Sequence, residues 1–544
     1  MKIFKVSFLI FTCLLFSCNS KIVQSELVTL KQFNYPVLKG KKNNPILRIC
    51  INSVEKEEVL QNVKINLRET NISNVSEIRL FYTGKDSIFK ENVQFGKTIK
   101  DLNSPIVNGS QALQKGDNYF WISCKLSESL NLSEKINAEI DYLSINDKKI
   151  KSKEFKNIKL RTGVAVRQHW QDSVHTYRIP GLATSNKGTL LAVYDVRRES
   201  GRDLQGHMDI GLSRSFDGGQ NWEPMQIVLD MKTWGDLPEK FNGVSDASVL
   251  VDKTNNDIYI AGLWMHGVIN AEGKWIENLT ENSKDWNHQW RTKGSQPGLE
   301  PKQTSQFLIT KSTDDGKTWS DPINLTRMCK DSKWWLWAPA PGHGITLKDG
   351  TLVFPTQGRD ENGLPFSNIT YSKDGGETWE TSQAASHDTT ESMAVELSDG
   401  SIMLNTRDNR NRREKGEKNG RSISITKDLG NTWTEHKTSH GALIEPVCMA
   451  SIHRHDYKDD KGNPKSVLLF SNPNSKFKRV KQTIKVSFDD GLTWPEKYWT
   501  ELDAGGGAGY SCLTSVDENT IGILYEGSQA QMTFQKILLS ELIN

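Results

Sequence analysis

The sequence predicts an all-β chain: a six-bladed β-propeller preceded by a small β-sandwich. An eight-residue motif, Ser/Thr-x-Asp-x-Gly-x-x-Trp, occurs five times, at 215–222, 312–319, 372–379, 426–433 and 487–494. A turn followed by an apolar strand occurs six times, at 188–193, 257–261, 350–354, 400–404, 466–470 and 519–524. From about residue 27 to 155, short runs alternate apolar and polar residues between turn clusters, which is typical of a sandwich.

The eight-residue motif has the chemistry of a hairpin turn. Its Asp can accept backbone N–H bonds within the turn, and its Gly can adopt a positive φ. Its Trp offers a large apolar face that packs between strands. One copy is a weak signal, but five copies interleaved with six apolar strands indicate radial repetition.

The first residues indicate an export signal and not a part of the folded protein. Lys2 and Lys5 precede an apolar run over 6–16, which is too short to span a bilayer and suits a signal peptide. The run ends Leu-Phe-Ser-Cys, which resembles a bacterial lipobox and implies lipidation of Cys18. We therefore expect a lipoprotein signal peptide over 1–18 and an exported bacterial lipoprotein, anchored in the periplasm or at the outer cell surface. The alternative is ordinary secretory cleavage beside a chance Cys.

The length of the chain indicates how many units it contains, and its net charge limits the ligands that it can attract. With 544 residues, two or more units are expected. We assign 19–160 to the sandwich, which either binds carbohydrate or only packs, and 161–544 to the propeller. The net charge of +3 gives no global field that would attract nucleic acid, so local arginines must hold any anionic ligand.

The cysteines predict neither a zinc site nor a disulfide framework. Two of the seven belong to the signal, and the other five are scattered without ligand spacing. Cys50 with Cys124 is the one disulfide considered, and free thiols are favoured. We expect no metal or organic cofactor, and a monomer.

Polar residues, most of them charged, recur at matching offsets around the apolar strands. Arg178, Asp246, Glu391 and Tyr510 stand about eleven residues before strands, and Arg197, Gln357, Arg407 and Glu526 follow directly after strands. Equivalent positions of radial repeats lie at the same end of the molecule. The sequence therefore predicts a polar pocket at one mouth of the propeller.

Two motifs resemble those of a known family. Residues 176–182, Thr-Tyr-Arg-Ile-Pro-Gly-Leu, resemble the Arg-Ile-Pro motif of bacterial exo-α-sialidases (neuraminidases), and the five turns resemble that family's Asp-boxes, or BNR repeats. The resemblance covers about residues 165–540. It implies hydrolysis of terminal sialic acid from glycoproteins, glycolipids and oligosaccharides.

The resemblance also implies a role for each residue of the pocket. Three arginines, Arg178, Arg407 and Arg479, match those that bind the substrate carboxylate. Asp203 resembles the general acid/base, Tyr510 the nucleophile, Glu391 the base that activates it and Glu526 the carboxylate that orients the first arginine. The remaining substrate-binding candidates are Arg197, Asp246 and Gln357.

These residue types suit an anionic sugar. A planar guanidinium binds a carboxylate through two hydrogen bonds. A carboxylate nucleophile would be repelled by the sugar's own carboxylate, whereas a neutral tyrosine is not.

Some assignments have competitors in the sequence. Asp209 competes with Asp203, and Glu396 competes with Glu391. A sialidase-fold transferase, which passes the sugar to another glycan or forms an anhydro product, would use the same residues. A non-catalytic sialic-acid-binding propeller would keep the arginines and lose the acid or the nucleophile.

Overall fold

A computed structural model describes residues 22–55, 57–153, 155–204, 206–234, 239–267, 276 and 295–544. Strands dominate these residues, so the all-β prediction is confirmed. The predicted signal peptide, with Cys18, lies outside the described residues. Within the described ranges, no helix combines the length and apolar character that crossing a membrane requires.

The N-terminal strands form two five-stranded sheets. In chain order the strands are β1 (Val23–Ser25), β2 (Val28–Lys31), β3 (Val37–Lys39), β4 (Asn44–Ser53), β5 (Val59–Asn66), β6 (Val75–Gly84), β7 (Gln94–Ile99), β8 (Ile106–Ala112), β9 (Gly116–Leu126), β10 (Lys135–Ile136), β11 (Glu139–Ile145) and β12 (Lys148–Ser152). One sheet has the order β1-β12-β11-β5-β8 and the other β2-β4-β9-β6-β7.

The two N-terminal sheets share one core. Val63 and Leu143 of the first sheet and Ile49 and Phe120 of the second are fully buried in the same apolar cluster. In β4, every second residue from Leu47 to Ser53 is buried, as the alternating sequence pattern predicts, whereas β9 is buried on both faces at its middle.

The C-terminal strands are β13 (Leu160–Arg167), β14 (Thr176–Thr184), β15 (Leu190–Arg197), β16 (Met208–Ser215), β17 (Gln226–Leu229), β18 (Asn242–Val251), β19 (Ile258–His266), β20 (Gln306–Ser312), β21 (Ile323–Asn324), β22 (Leu336–Pro339), β23 (Gly342–His343), β24 (Ile345–Thr346), β25 (Leu352–Arg359), β26 (Pro365–Ser372), β27 (Glu380–Thr381), β28 (Ser386–His387), β29 (Thr389–Glu396), β30 (Ile402–Asp408), β31 (Ser422–Thr426), β32 (Thr434–Glu435), β33 (Ser451–Lys458), β34 (Pro464–Pro473), β35 (Val480–Ser487), β36 (Trp499–Gly506), β37 (Ser511–Asp517), β38 (Thr520–Tyr525) and β39 (Met532–Leu538). The α-helices are α1 (Thr326–Cys329) and α2 (Ser540–Ile543). Short 3₁₀ helices cover Ile72–Asn74, Gln171–Ser173, Glu239–Phe241, Asn409–Arg412 and Glu496–Tyr498.

Within the described residues, these strands group into six antiparallel units, of which the first two join into one nine-stranded sheet through a parallel pairing of β16 with β18. Five units follow the chain: β14 to β17, β18 to β21, β22 with β24 to β28, β29 to β32 and β33 to β36, while β23 pairs parallel to β18. The sixth joins β37, β38 and β39 to β13, so it combines strands from before and after the other five. The first strand of one unit contacts that of the next for β14 with β18, β18 with β22, β29 with β33 and β33 with β37, and β14 also contacts β37. Strand β29 reaches the third unit through β25.

The five turn motifs adopt one conformation. In the first copy, Ser215 Oγ accepts a hydrogen bond from Gly219 N at 2.9 Å, and Asp217 Oδ1 accepts one from Asn221 N at 2.9 Å. The fifth residue is a glycine with positive φ in every copy, for example 89° at Gly219. The Trp222 Nε1 donates to Gly219 O, which fixes the indole against the turn. The motif acids are therefore structural, as the sequence indicates.

The N-terminal part packs directly on the C-terminal units. Strand β3 extends the sixth unit by pairing parallel to β13. Lys39 Nζ donates to Asn221 Oδ1 at 2.8 Å, and Asn34 Nδ2 donates to the carbonyl of Glu501 at 2.9 Å.

The fold separates the two cysteines considered for a disulfide. Cys50 of β4 pairs with Tyr119 of β9, whereas Cys124 lies five residues further along β9. Five residues of a strand span about 17 Å, far beyond the reach of a disulfide. Cys50 and Cys124 are both free thiols, as are Cys329, Cys448 and Cys512.

Candidate active site

The predicted pocket residues meet at one end of the six units. Arg178 and Glu391 lie near the starts of the first strands β14 and β29, and Tyr510 directly precedes β37. Arg407 lies near the end of the second strand β30, and Glu526 directly follows β38. Because neighbouring strands are antiparallel, starts of first strands and ends of second strands share one edge. The turn motifs lie at the opposite edge, where Ser215 pairs with Leu190 at the start of β15.

Glu526 binds both the Arg178 side chain and the backbone N–H of Tyr510. Its Oε1 accepts from Arg178 Nε at 2.5 Å and from Ile179 N at 2.9 Å, and its Oε2 accepts from Tyr510 N at 3.0 Å. Burial alone would raise the pKa of Glu526, but the charge and hydrogen bonds of Arg178 outweigh it and hold that pKa below its usual value. The carboxylate is therefore ionised and fixed.

Tyr510, Glu391 and Arg407 form a closed hydrogen-bonded triangle. The Tyr510 hydroxyl donates to Glu391 Oε1 and accepts from Arg407 Nη1 at 3.0 Å. Arg407 Nη1 also donates to Glu391 Oε2 at 2.5 Å. The triangle gives the phenol an adjacent base to receive its proton and a cation to stabilise the oxygen left behind.

The surroundings keep Tyr510 protonated at rest. Burial and the charge of Glu391 raise the pKa of Tyr510 well above its usual value, against the lowering effects of Arg407 and Arg479. A phenol in this state loses its proton only when Glu391 takes it directly.

Three guanidinium groups surround the Tyr510 side chain. Arg178 Cζ lies 5.3 Å and Arg479 Cζ 5.5 Å from the ring centroid, while Arg407 contacts the hydroxyl. Arg479 is held by carbonyls, donating to Ala508 O at 2.7 Å and to Val447 O at 3.2 Å. Among the described residues, Arg178 Nη1 and Arg407 Nη2 donate to no protein acceptor, so both can bind a ligand anion.

Asp203 stands at the rim of the pocket. Its side chain is half exposed, and its Oδ1 accepts from Arg197 Nη2 at 2.7 Å. Its charge contributes to raising the pKa values of Arg197 and Arg178, which places it within electrostatic reach of both. A half-exposed carboxyl at this position can exchange protons with both a substrate and water.

Asp246 and Gln357 line the same pocket. Gln357 Nε2 donates to Asp246 Oδ2 at 3.3 Å and to the carbonyl of Pro339 at 3.2 Å. Burial first, and then the charges of Asp203, Asp195 and Glu391, raise the pKa of Asp246 well above its usual value. The pair offers hydrogen bonds to hydroxyl or amide groups of a sugar.

The competing acids lie elsewhere. Asp209 is buried and bound to Arg198 at 2.6 Å, and burial raises its pKa to about 6. Glu396 Oε2 accepts from Lys348 N at 3.0 Å, five residues along β29 from Glu391 and toward the opposite edge. Neither belongs to the group around Tyr510.

Backbone irregularities aim the pocket side chains. The pairing register shifts between Arg178 and Gly181 in β14, and the same kind of break follows Ser245 in β18 and Thr389 in β29. Ile179 has φ 61° and Asp246 has φ 59°, both in the left-handed region. Such bulges redirect side chains beside functional sites.

Sequence reasoning missed the buried groups that position the arginines. Asp195 Oδ2 accepts from Arg197 Nη2 at 2.9 Å and from Ser245 Oγ at 2.5 Å. Burial raises the pKa of Asp195 to about 6 despite the opposing effect of Arg197. Its place two residues before Arg197, on the same face of β15, is a signal that could have identified it.

A second missed element is the fully buried ion pair of Arg421 with Glu445. Glu445 Oε2 accepts from Arg421 Nη1 at 2.6 Å, and Glu445 Oε1 accepts from the backbone N of Asp408, next to Arg407, at 2.8 Å. Arg421 Nη1 also donates to Cys448 O at 2.7 Å. The pair thereby connects the strand of Arg407 to the segment that holds Arg479.

One cluster of described residues has side chains of the types that can bind a metal ion, although the sequence predicts no metal site. His207, Asp230 and Glu239 bring potential ligand atoms within 4.8 Å of one another, although their spacing in the sequence gave no sign of it. His207 Nε2 lies 3.5 Å from Asp209 and 3.6 Å from Glu239. His207 is therefore surrounded by carboxylates, and we assign no metal ion to this cluster.

Replacing Glu526 by Gln is expected to lower kcat/KM by about tenfold or more. The amide keeps one acceptor oxygen and would turn its NH₂ toward the Tyr510 or Ile179 N–H, misplacing Arg178. Because the pKa is lowered on folding, ionised Glu526 stabilises the fold above about pH 4.5 and loses this effect as pH falls through its folded pKa. The variant should lack that part of the acid dependence of the free energy of unfolding.

Steady-state kinetics and urea unfolding as a function of pH measure both effects. Glu518→Gln, in the exposed turn between β37 and β38, is the matched control and should behave as the wild type. An unchanged kcat/KM in Glu526→Gln would contradict the positioning of Arg178 by this carboxylate.

Comparison with known proteins supports one family. The model described as "BNR repeat-like domain" matches residues 179–499, and that described as "N-terminal domain of BNR-repeat neuraminidase" matches 25–149. A sialidase of Bacteroides fragilis is 39% identical over 99% of this chain and 100% of its own length. The solved structure of the Hadza microbial sialidase Hz136 is 35% identical, covers 94% of this chain and 100% of its own, and has a TM-score of 0.83.

A further structural neighbour shares the fold alone. The intramolecular trans-sialidase from Ruminococcus gnavus has a TM-score of 0.51 at 17% identity, over 68% of this chain and 96% of its own.

The fold, the turn motifs and these relatives together define the protein as a glycoside hydrolase. The chain belongs to the BNR-repeat sialidase (neuraminidase) family.

Proposed function

We propose that this protein hydrolyses terminal sialic acid from glycoconjugates, with retention of configuration, through a covalent intermediate on Tyr510. The observation that carries the proposal is the triangle of Tyr510, Glu391 and Arg407, with Arg178 and Arg479 beside the Tyr510 ring. A tyrosine paired with a base has the chemistry of a nucleophile, and the arginines suit a sugar with a carboxylate at its anomeric carbon.

Substrate binding follows from the free donors of the pocket. The sugar carboxylate accepts hydrogen bonds from Arg178, Arg407 and Arg479, which fixes the anomeric carbon above the Tyr510 hydroxyl. Asp246 and Gln357 contact the sugar's substituents on the other side of the pocket. Arg197, predicted to contact them too, is 1% exposed and donates to Asp195 and Asp203 instead, so it positions Asp203 and does not touch the sugar. Asp203 at the rim then faces the glycosidic oxygen.

The reaction proceeds in two displacements. In the first, the Tyr510 oxygen bonds to the anomeric carbon while its proton passes to Glu391, and the glycosidic bond breaks as Asp203 protonates the leaving oxygen. In the second, Asp203 takes a proton from water, the resulting hydroxide bonds to the anomeric carbon, and Tyr510 leaves and regains its proton from Glu391. Two inversions retain the configuration.

We also propose that the six antiparallel units close into a six-bladed propeller. The contact between β14 and β37 supports closure between the first and last units, and the pairing of β13 with β39 joins strands from before and after the other five units within the last one. A closed ring explains why residues as distant in sequence as Arg178 and Glu526 share one pocket.

The function is tested by incubating the protein with an aryl sialoside and with sialyllactose. We expect free sialic acid, released first as the α-anomer and followed by proton NMR before mutarotation. Release as the β-anomer would contradict the retaining mechanism. Transfer to added lactose, or an anhydro product, would assign a transferase, and binding without any release would assign a sialic-acid-binding propeller.

We propose further that Cys18 carries a lipid that anchors the protein on a membrane of a bacterial cell, as the lipobox-like residues 15–18 suggest. In a bacterial host, Cys18→Ala should move the protein from the membrane fraction to the soluble fraction and abolish labelling by a fatty acid. Cys50→Ala is the control, because Cys50 is a free thiol within β4. Retained labelling of Cys18→Ala would rule out this anchor.

A further inference from the structure

A basic cavity of about 700 Å³ is lined by residues that follow the pocket residues Gln357 and Arg407 along the chain. It is formed where the ends of β25 and β30 approach each other. Its charged lining residues are Arg359, Arg410, Arg412, Arg413, Asp388 and Glu414, so positive charge predominates. We call it the arginine cavity.

Two strands run from the catalytic pocket into the arginine cavity. Gln357 and Arg359 are two residues apart on β25, which places them on the same face and about 7 Å apart. Arg407 precedes Arg410 by three residues, a separation of at most about 10 Å between Cα atoms. The cavity therefore lies within reach of one oligosaccharide whose terminal sugar occupies the pocket.

The charges in the arginine cavity are incompletely neutralised. Arg410 is bound to Asp408 at 2.7 Å. In the part of the chain that the structure describes, Arg359, Arg412 and Arg413 form no ion pair with a carboxylate. Burial, and then the charge of Arg412, lower the pKa of Arg359. Three arginines without an ion pair outnumber the carboxylates Asp388 and Glu414 of the lining, which favours the binding of an anion.

The loop that carries these arginines is anchored. Asn411 is fully buried and donates to Gly420 O and to Glu445 Oε1, each at 2.8 Å. The Asp408 side chain accepts from Arg410 N at 3.0 Å and caps the short 3₁₀ helix Asn409–Arg412. A preformed site loses less conformational entropy when a ligand binds.

We propose that the arginine cavity binds a second anionic group, a carboxylate or a sulfate, of the same glycan whose terminal sialic acid occupies the pocket around Tyr510. Guanidinium groups bind both anions through paired hydrogen bonds. The inference rests on the proposed function and names its preferred substrates. These are oligosialic and sulfated sialoglycans, in preference to sialoglycans that carry no second anionic group.

The test compares kcat/KM on three substrates: sialyllactose, its α2,8-disialyl counterpart and a sulfated sialyllactose. The wild type should favour the two doubly anionic glycans. The double variant Arg412→Ala/Arg413→Ala should lose about tenfold in kcat/KM on them, mainly through KM, and less than about twofold on sialyllactose. Arg68→Ala, at an exposed site of the N-terminal part, is the control and should keep the preference.

The two anions are separated by the same experiment. A loss confined to the disialyl substrate assigns the cavity to a carboxylate, and a loss confined to the sulfated substrate assigns it to a sulfate. The preference should also shrink between about 0.05 and 0.5 M salt, because exposed charges are screened.

Binding of 3′-sulfated lactose, which carries no sialic acid, tests the cavity independently of catalysis. Calorimetry should detect weaker binding by the double variant even if the wild type hydrolyses no sialoside, an outcome that would refute only the proposed function. The inference would be overturned if the wild type and the double variant had the same kcat/KM on each of the three substrates and bound sulfated lactose equally well.

Discussion

Tyr510→Phe is expected to lower kcat by about a thousandfold or more on every sialoside, with little change in KM. The substitution removes only the hydroxyl oxygen that donates to Glu391 and accepts from Arg407. The three arginines remain to bind the substrate carboxylate, so the loss falls on the chemical step. Single-turnover kinetics with an aryl sialoside separate this step from binding.

Tyr525→Phe is the matched control for this experiment. Tyr525 is also fully buried and lies one residue before Glu526, but its hydroxyl bonds to Gln535 at 3.1 Å, away from the pocket. Its activity should stay near that of the wild type. If Tyr510→Phe turns over as fast as Tyr525→Phe, Tyr510 is not the nucleophile.

Asp203→Asn is expected to show a loss that depends on the leaving group. On a natural glycan, whose alcohol leaves poorly, kcat/KM should fall by about a hundredfold to ten-thousandfold, the usual contribution of a general acid. On an aryl sialoside the first displacement should change much less, since a phenolate leaves without protonation. The ratio of the two losses measures proton transfer by Asp203 directly.

Asp209→Asn distinguishes this role from its competitor in the sequence. Asp209 is buried against Arg198, so its replacement should lower stability and affect both substrates equally. A leaving-group dependence in Asp209→Asn, and not in Asp203→Asn, would reverse the assignment.

Much of the pocket could be predicted because the fold repeats. Offsets from six apolar strands indicate the end of the unit at which a residue lies, without knowledge of any contact. Arg178, Glu391, Tyr510 and Glu526 come together in this way, across as many as 348 positions of sequence.

Contacts between units could not be predicted in the same way. Repeat position gives the end of the unit at which a residue lies but not its partner, so the buried Arg421–Glu445 pair was missed. The pairing of β3 with β13 depends on how two parts of the chain pack, which no local pattern encodes.

Trapping of the intermediate tests the central claim most directly. The protein is incubated with a 2,3-difluorosialic acid that forms a slowly hydrolysed glycosyl-enzyme, digested, and analysed by tandem mass spectrometry. We predict one added sugar on the peptide that contains Tyr510, located on that tyrosine and absent from Tyr510→Phe. An active enzyme that gives no adduct, or an adduct on Asp203 or Glu391, would contradict the account.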